Sequence, residues 1–196
     1  LSPVYSIYDT AMMGNTTGGN FRKFFGLQKN VLLVVDRAEY ALPTSWRNRF
    51  LEQVGAQGTR ILRVVDANQT PKAMESEIIQ TLAGNPVIDS IICTTQNGTC
   101  AALRAVERYG RFVPILGADF NQEIAQGIYD GTIRASIVRN SYAYGYMGIE
   151  NAIRILCGQG IAETRTLDAL VINSENLFDP AYAPLLYDIT AAPDGD

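Results

Sequence analysis

Residues 113–140 constrain this chain more than any other stretch. Two short apolar runs, 113–116 and 135–138, each pass directly into polar residues, and a helix-like segment, 122–129, closed by Asp130-Gly131, lies between them. A short apolar run bounded by turn residues reads as a buried strand, and alternation with helical segments reads as a parallel sheet with crossover helices. The first run ends in Gly117-Ala118-Asp119 and the second in Arg139-Asn140. Strands that end this way deliver Asp119 and Arg139 to the carboxyl edge of the sheet, where open α/β folds bind ligands.

The same grammar extends along the chain. A short extended segment at 3–7 leads to Tyr8-Asp9. Residues 31–35 form a continuous β-branched and leucine run, expected of a strand buried on both faces. Further strands are expected at 60–65, 89–94 and 170–172. Helices are expected at 21–25, from a Thr44-Ser45 cap through Val54, from Pro71 to a stop at Gly84-Asn-Pro, at 98–109 and at 142–157. Asn15-Thr-Thr-Gly-Gly reads as a turn, because it follows no strong strand and lacks the lysine of a phosphate loop. The expected fold is therefore α/β, a flavodoxin-like parallel sheet with helices on both faces and right-handed crossovers. Residues 1–177 form one unit, and 178–196, with no periodicity, an irregular tail.

Composition narrows the chemistry. The chain has 196 residues, long enough for a substantial core, and nearly half of them are apolar. A formal charge of −4 without a basic stripe gives no support to a nucleic-acid partner. There is no histidine, so the commonest general base and metal ligand are missing. Cys93, Cys100 and Cys157 are odd in number and lack a CxxC spacing, which points to buried free thiols; a Cys93–Cys100 bridge stays open. No nucleophile elbow or P-loop occurs. No metal or organic cofactor is expected.

The candidate site residues are those at strand ends: Asp36-Arg37, Asp66, Thr94-Thr95-Gln96-Asn97, Asp119 and Arg139-Asn140. Their side chains are planar, multidentate hydrogen-bonders suited to hydroxyls or carboxylates. Ordinary loop solvation explains any one of them as well. Trp46 has the flat face needed to stack on a ring, and as a large residue near a helix start it equally suits partial burial.

The order of motifs resembles the type I periplasmic sugar-binding proteins, the ribose/galactose-like class of ABC-transporter solute-binding proteins, and mainly their C-terminal lobe. The resemblance rests on Pro114-Ile-Leu-Gly-Ala-Asp119, on Ile128-Tyr-Asp-Gly-Thr-Ile-Arg-Ala-Ser-Ile-Val-Arg-Asn140 and on Tyr142-x-x-Gly-Tyr-x-x-Ile-x-x-Ala. Gly14-Asn-Thr-Thr-Gly-Gly19, Thr95-Gln-Asn97 and Asn173-Ser-Glu-Asn-Leu177 complete it. It implies a non-enzymatic, exported or periplasmic protein that binds a sugar or related polyol for uptake through a membrane permease. Its implied ligand residues are Asn97, Asp119 and Arg139, with Asp9 at the first interlobe crossover and Arg47 or Thr44 at a helix start. Crossovers near residues 8 and 139 would lead to a first lobe preceding Leu1. The helix at 142–157 would normally pack on that lobe; here it is expected to fold back on its own sheet, pair with a second copy or dock on a companion lobe. Three other readings remain: a periplasmic sensor domain for a signalling protein, the effector domain of a lac-repressor-type regulator, and an α/β enzyme using Asp36, Asp66 or Asp119 with a metal.

Overall fold

A computed structural model describes residues 10–26, 29–41, 45–55, 58–159 and 169–182. The expected strand at 3–7, Asp9, Thr44 and residues 183–196 lie outside them.

The chain begins with helix α1 (Thr10–Phe25), followed by β1 (Asn30–Val35), α2 (Arg37–Ala41) and α3 (Ser45–Gly55). It continues as β2 (Arg60–Asp66), α4 (Pro71–Gly84), β3 (Ser90–Cys93), α5 (Gln96–Tyr109), β4 (Ile115–Ala118) and α6 (Gln122–Tyr129). The last elements are β5 (Ile133–Val138), α7 (Ser141–Leu156) and β6 (Leu170–Ile172). The strands form one sheet in the order β2-β1-β3-β4-β5-β6. The first five strands are parallel, and this 2-1-3-4-5 arrangement is that of flavodoxin-like sheets. The expectation of a wholly parallel sheet needs one correction. β6 pairs antiparallel to β5, with Ile172 opposite Ser136 and Leu170 opposite Val138. A strand of three residues at a sheet edge needs no crossover helix and can run either way.

Side chains alternate along each strand, so the sheet feeds two cores. On one face Leu32, Val34, Ile91 and Ile115 pack with Met74 and Ile78 of α4, Leu103 of α5 and Ile124 of α6. On the other face Val31, Leu33, Ile92, Leu116 and Ile137 pack with Phe21 of α1 and Phe50 and Val54 of α3. Fully burying each such side chain contributes about 1.5–3 kcal/mol, which makes the double-faced sheet the main source of stability. Local signals set the helix starts. Thr70 accepts the Ala73 N–H ahead of Pro71, Thr95 accepts that of Gly98, and Asn121 accepts that of Ile124.

The largest departure from expectation is α1. The turn expected at Asn15-Thr-Thr-Gly-Gly lies inside a helix of 16 residues, although three glycines, Gly14, Gly18 and Gly19, oppose it. Tertiary packing supplies the reason. A Cβ on Gly14 would come within 2.4 Å of the Trp46 carbonyl oxygen, and one on Gly18 within 2.3 Å of Gln53 Cβ. These glycines let α1 and α3 lie backbone to backbone. Stacked rings, Phe21 on Phe25 at 4.7 Å and Trp46 on Phe50 at 5.0 Å, stand in the same layer.

Of the three placements expected for α7, the fold-back onto its own sheet does not occur. Tyr146, Ile149 and Ile153 are 60%, 65% and 55% exposed, so the helix leaves the sheet after Asn140 and presents these side chains to solvent. No described helix is long and apolar enough to cross a membrane.

Candidate functional site

Parallel strands place all their carboxyl ends on one edge, and there the structure opens a cavity of about 250 Å³. β1 contributes Val35 and, just beyond its end, Asp36; β3 contributes Cys93, with Thr94 and Thr95 following it. β4 contributes Gly117 and Ala118, followed by Asp119, and β5 contributes Ile137, with Arg139 just past its end. Met13 and Thr17 of α1, Tyr40 of α2 and Trp46 of α3 complete the lining.

Its floor is tightly built. Asp119 adopts a left-handed backbone with φ of 60°, a conformation that Asp and Asn tolerate better than other residues with a side chain. Two bonds hold it there: its N–H donates to the Ile137 carbonyl at 2.9 Å, and its own carbonyl accepts from Ser136 Oγ at 2.6 Å. In addition, Thr99 Oγ1 accepts the Ala118 N–H at 2.9 Å and donates to the Ala118 carbonyl at 3.2 Å. Gly117 makes this approach of α5 to β4 feasible, because a Cβ there would meet Thr99 Cγ2 at 2.7 Å. The turn aims the Asp119 carboxylate at Arg139. Arg139 Nε donates to Oδ1 at 3.0 Å and Nη2 to Oδ2 at 2.8 Å, a bidentate pair that fixes both planar groups. The guanidinium side chain is nearly half exposed and the carboxylate about a fifth, so the pair borders the opening and its edges stay reachable.

Cys93 belongs to the lining but is almost fully buried, and burial pushes its thiol far above the ordinary value of 9.0. Burial likewise raises Cys100, whose sulfur accepts from Asn121 Nδ2 at 3.3 Å. All three cysteines are free thiols, Cys93 and Cys100 buried and Cys157 exposed. Such neutral, desolvated thiols are poor nucleophiles.

The expected site residues divide. Asp119 and Arg139 meet in the cavity, and the strand-end residues Asp36, Thr94 and Thr95 join them. Asn97 stands exposed in the first turn of α5, outside the lining, because the helix starts two residues earlier than its apolar pattern suggests. Arg47 also lies outside the lining, with its guanidinium 5.2 Å from the centre of the Tyr40 ring. Asp66 is occupied locally, accepting the N–H groups of Arg37 at 3.3 Å and Asn68 at 3.1 Å. It stands on β2, three strands from Asp119 rather than beside it, which is roughly 14 Å of sheet. The two carboxylates therefore do not share a ligand position. Among the described residues no group of three or more Asp, Glu or Cys is arranged to hold a metal ion. Tyr40, Met13 and Thr17 were not expected in the site; only the folded positions of α1 and α2 bring them there.

The sequence model of the periplasmic binding protein domain family matches residues 4–160. This chain belongs to the periplasmic binding protein family. No curated protein matches it. Among solved structures it is similar to GanP, a glucose-galactose binding protein from Geobacillus stearothermophilus, at 20% identity and a TM-score of 0.75, over 87% of this chain and 62% of that one. It is similar also to an ABC transporter solute binding protein from Agrobacterium vitis bound with alpha-D-tagatopyranose, at 19% identity and a TM-score of 0.79, over 92% and 62%. A third similar structure, the XylFII–LytSN complex, matches at 21% identity and a TM-score of 0.72, over 86% and 61%. At these identities the likeness is one of fold. The chain spans about three fifths of the length of each of these structures.

Proposed function

We propose that this periplasmic binding protein domain is a sugar-binding lobe whose site is the cavity at the carboxyl ends of β1, β3, β4 and β5. The observation that carries this reading is the bidentate Asp119–Arg139 pair at a cavity bordered by Trp46 and Tyr40. Sugars offer two kinds of surface, hydroxyls that both donate and accept and apolar ring faces. A fixed carboxylate accepts hydroxyl protons, a fixed guanidinium donates to hydroxyl oxygens, and aromatic side chains cover the C–H face. Those groups bind a sugar without attacking it, so the role is binding rather than catalysis. The family assignment and the sugars bound in similar solved structures, tagatopyranose and D-fucose among them, support the same ligand class.

In this proposal the other wall of the site comes from a second lobe. Arg139 and Asn140 stand where the chain leaves the sheet for α7, a place suited to a hinge between lobes that close on the ligand. The exposed Tyr146, Ile149 and Ile153 would pack within that second lobe. An exported setting and delivery of the ligand to a membrane permease follow from this role. A signalling partner is the second reading, favoured by the similarity to one component of the XylFII–LytSN complex.

The chain's single tryptophan lies in the cavity lining, which makes the test direct. Titration with a panel of pentoses and hexoses should change the fluorescence of Trp46 saturably for at least one sugar, and Arg139→Ala should weaken that response about tenfold or more. A panel without any saturable response, with unliganded protein shown to be folded, would sink the proposal.

A further inference from the structure

Among the described residues, the large apolar side chains that stand most exposed fall into two groups. One is the α7 face already described. The other is Val87, Phe112, Tyr129 and Phe178, each between 59% and 70% exposed. Topology brings these four to one place. Val87 and Phe112 lie in the connections that enter β3 and β4, and Tyr129 ends the helix before β5. Phe178 follows β6, which runs antiparallel to β5 and so leaves at the same edge. They line the amino-terminal edge of the sheet, the end opposite the cavity. Contacts join them into one strip. Arg111 donates to the Pro86 and Ile88 carbonyls, both at 2.9 Å, and so fixes the loop that holds out Val87. The Arg134 guanidinium lies 5.7 Å from the centre of the Phe112 ring, and Tyr129 meets Phe178 edge-on at 6.1 Å. Charge is ordered along the strip. Arg111 and Arg134 sit by Phe112, whereas exposed Asp130 and Asp179 follow Tyr129 and Phe178. Asp89, the acid closest to Val87 in the chain, accepts from the Asn30 N–H at 3.2 Å and from Ser90 Oγ at 3.0 Å.

We propose that this strip is an interface between two copies of the chain, paired about a twofold axis across their amino-terminal edges. Two features select a second copy as the occupant. The first is the order of charge. Turning one copy end for end lays the arginine end of each strip on the aspartate end of the other, so the same favourable contact forms twice. The second is area. The four side chains expose roughly 500 Å² per chain, as much as the largest apolar patch of an ordinary monomer. A pair would bury roughly 1,000 Å² before its polar rim is counted, and specific interfaces begin near that size. Phe, Tyr and Arg are also enriched at the centres of such interfaces, Tyr and Arg among the residues that carry most of the binding energy. The pairing leaves the cavity and α7 of each copy uncovered, so it stands apart from the sugar reading.

Sedimentation velocity on the whole 196-residue chain tests the pairing. Between about 1 and 200 μM the average mass should rise from the 21.5 kDa of one chain toward twice that, with a dissociation constant on the order of 10 μM. Phe112→Ser and Phe178→Ser should each weaken association about tenfold or more, with thermal midpoints near that of the wild type because both side chains are exposed. Arg134→Glu and Asp179→Arg should each weaken it as well. Mixing those two variants should restore it, since each then offers the charge that the other lacks. Protein that stays monomeric across the range overturns the proposal. So does a dimer that tolerates both serine substitutions and is instead abolished by Ile149→Glu on α7. Charge variants whose mixture associates no better than either alone overturn the twofold arrangement. Should one serine variant fail to fold, the other and the wild-type series decide. The sugar response of Trp46 is read separately, so failure of the pairing leaves the sugar reading standing.

Discussion

Asp119 combines two demands that a single substitution can separate. Asp119→Asn keeps the tolerance for a left-handed backbone and removes the charge that holds Arg139, so folding stability should fall by less than about 1 kcal/mol, as expected of a partly exposed pair. Ligand response should nonetheless drop. Asp119→Val loses the pair and adds a backbone penalty of about 1–2 kcal/mol. Urea denaturation of the two variants should therefore rank Val well below Asn; equal midpoints would show that the backbone at 119 carries no strain. Gly117→Ala tests the neighbouring contact, where the Cβ would press on Thr99 Cγ2, and should cost about 1–3 kcal/mol by the same measurement. Much of this floor was legible in the sequence, because an apolar run that breaks into Gly-Ala-Asp or Arg-Asn states both a strand and its edge. Asn97 stands outside the lining for a local reason: a threonine cap at 95 starts α5 early and leaves the asparagine exposed in its first turn. The part played by Tyr40 was not legible at all, since a helix of five residues shows no periodicity.

Elements repeat the lesson at larger dimensions. The five parallel strands and the helices α4 to α6 follow from apolar runs, caps and prolines that act within a few residues of themselves. α1 does not. Its glycines oppose a helix locally, and Gly14 and Gly18 are explained only by α3, more than 25 residues later in the chain, on which they allow close approach. Gly18→Ala, favourable in an isolated helix, should instead destabilise the protein by about 1–3 kcal/mol, because its Cβ would overlap Gln53. A gain in thermal midpoint would show that the two helices can part at little cost. β6 was legible as a strand, but its direction depends on how the chain returns to the edge of β5. α7 gives the opposite contrast. Ile149→Glu on its exposed face should leave the unfolding midpoint of this chain nearly unchanged, within about 0.5 kcal/mol. The same change should abolish association with a second lobe if one docks there.

For the molecule as a whole, the thiols report on integrity. Folded protein treated with iodoacetamide near neutral pH should be alkylated at exposed Cys157, with Cys93 and Cys100 protected until unfolding. Mass spectrometry before and after denaturation checks this. Rapid labelling of Cys93 in folded protein would contradict its burial. The linkage has a definite sign. Burial raises the Cys93 thiol above its unfolded value of 9.0, so below that pH both states hold the proton and the group adds no pH dependence. Above about 9 the unfolded chain releases the proton first, and stability should decline as pH rises. A Cys93→Ala variant should lose that part of the alkaline decline. The left-handed turn at Asp119 has a consequence for how such a lobe can change over time. Only Asp, Asn and Gly enter that backbone well readily, so the floor has a vocabulary of about three residues. New ligand preferences should therefore arise elsewhere in the lining, with 119 acting as the inherited constant around which they vary.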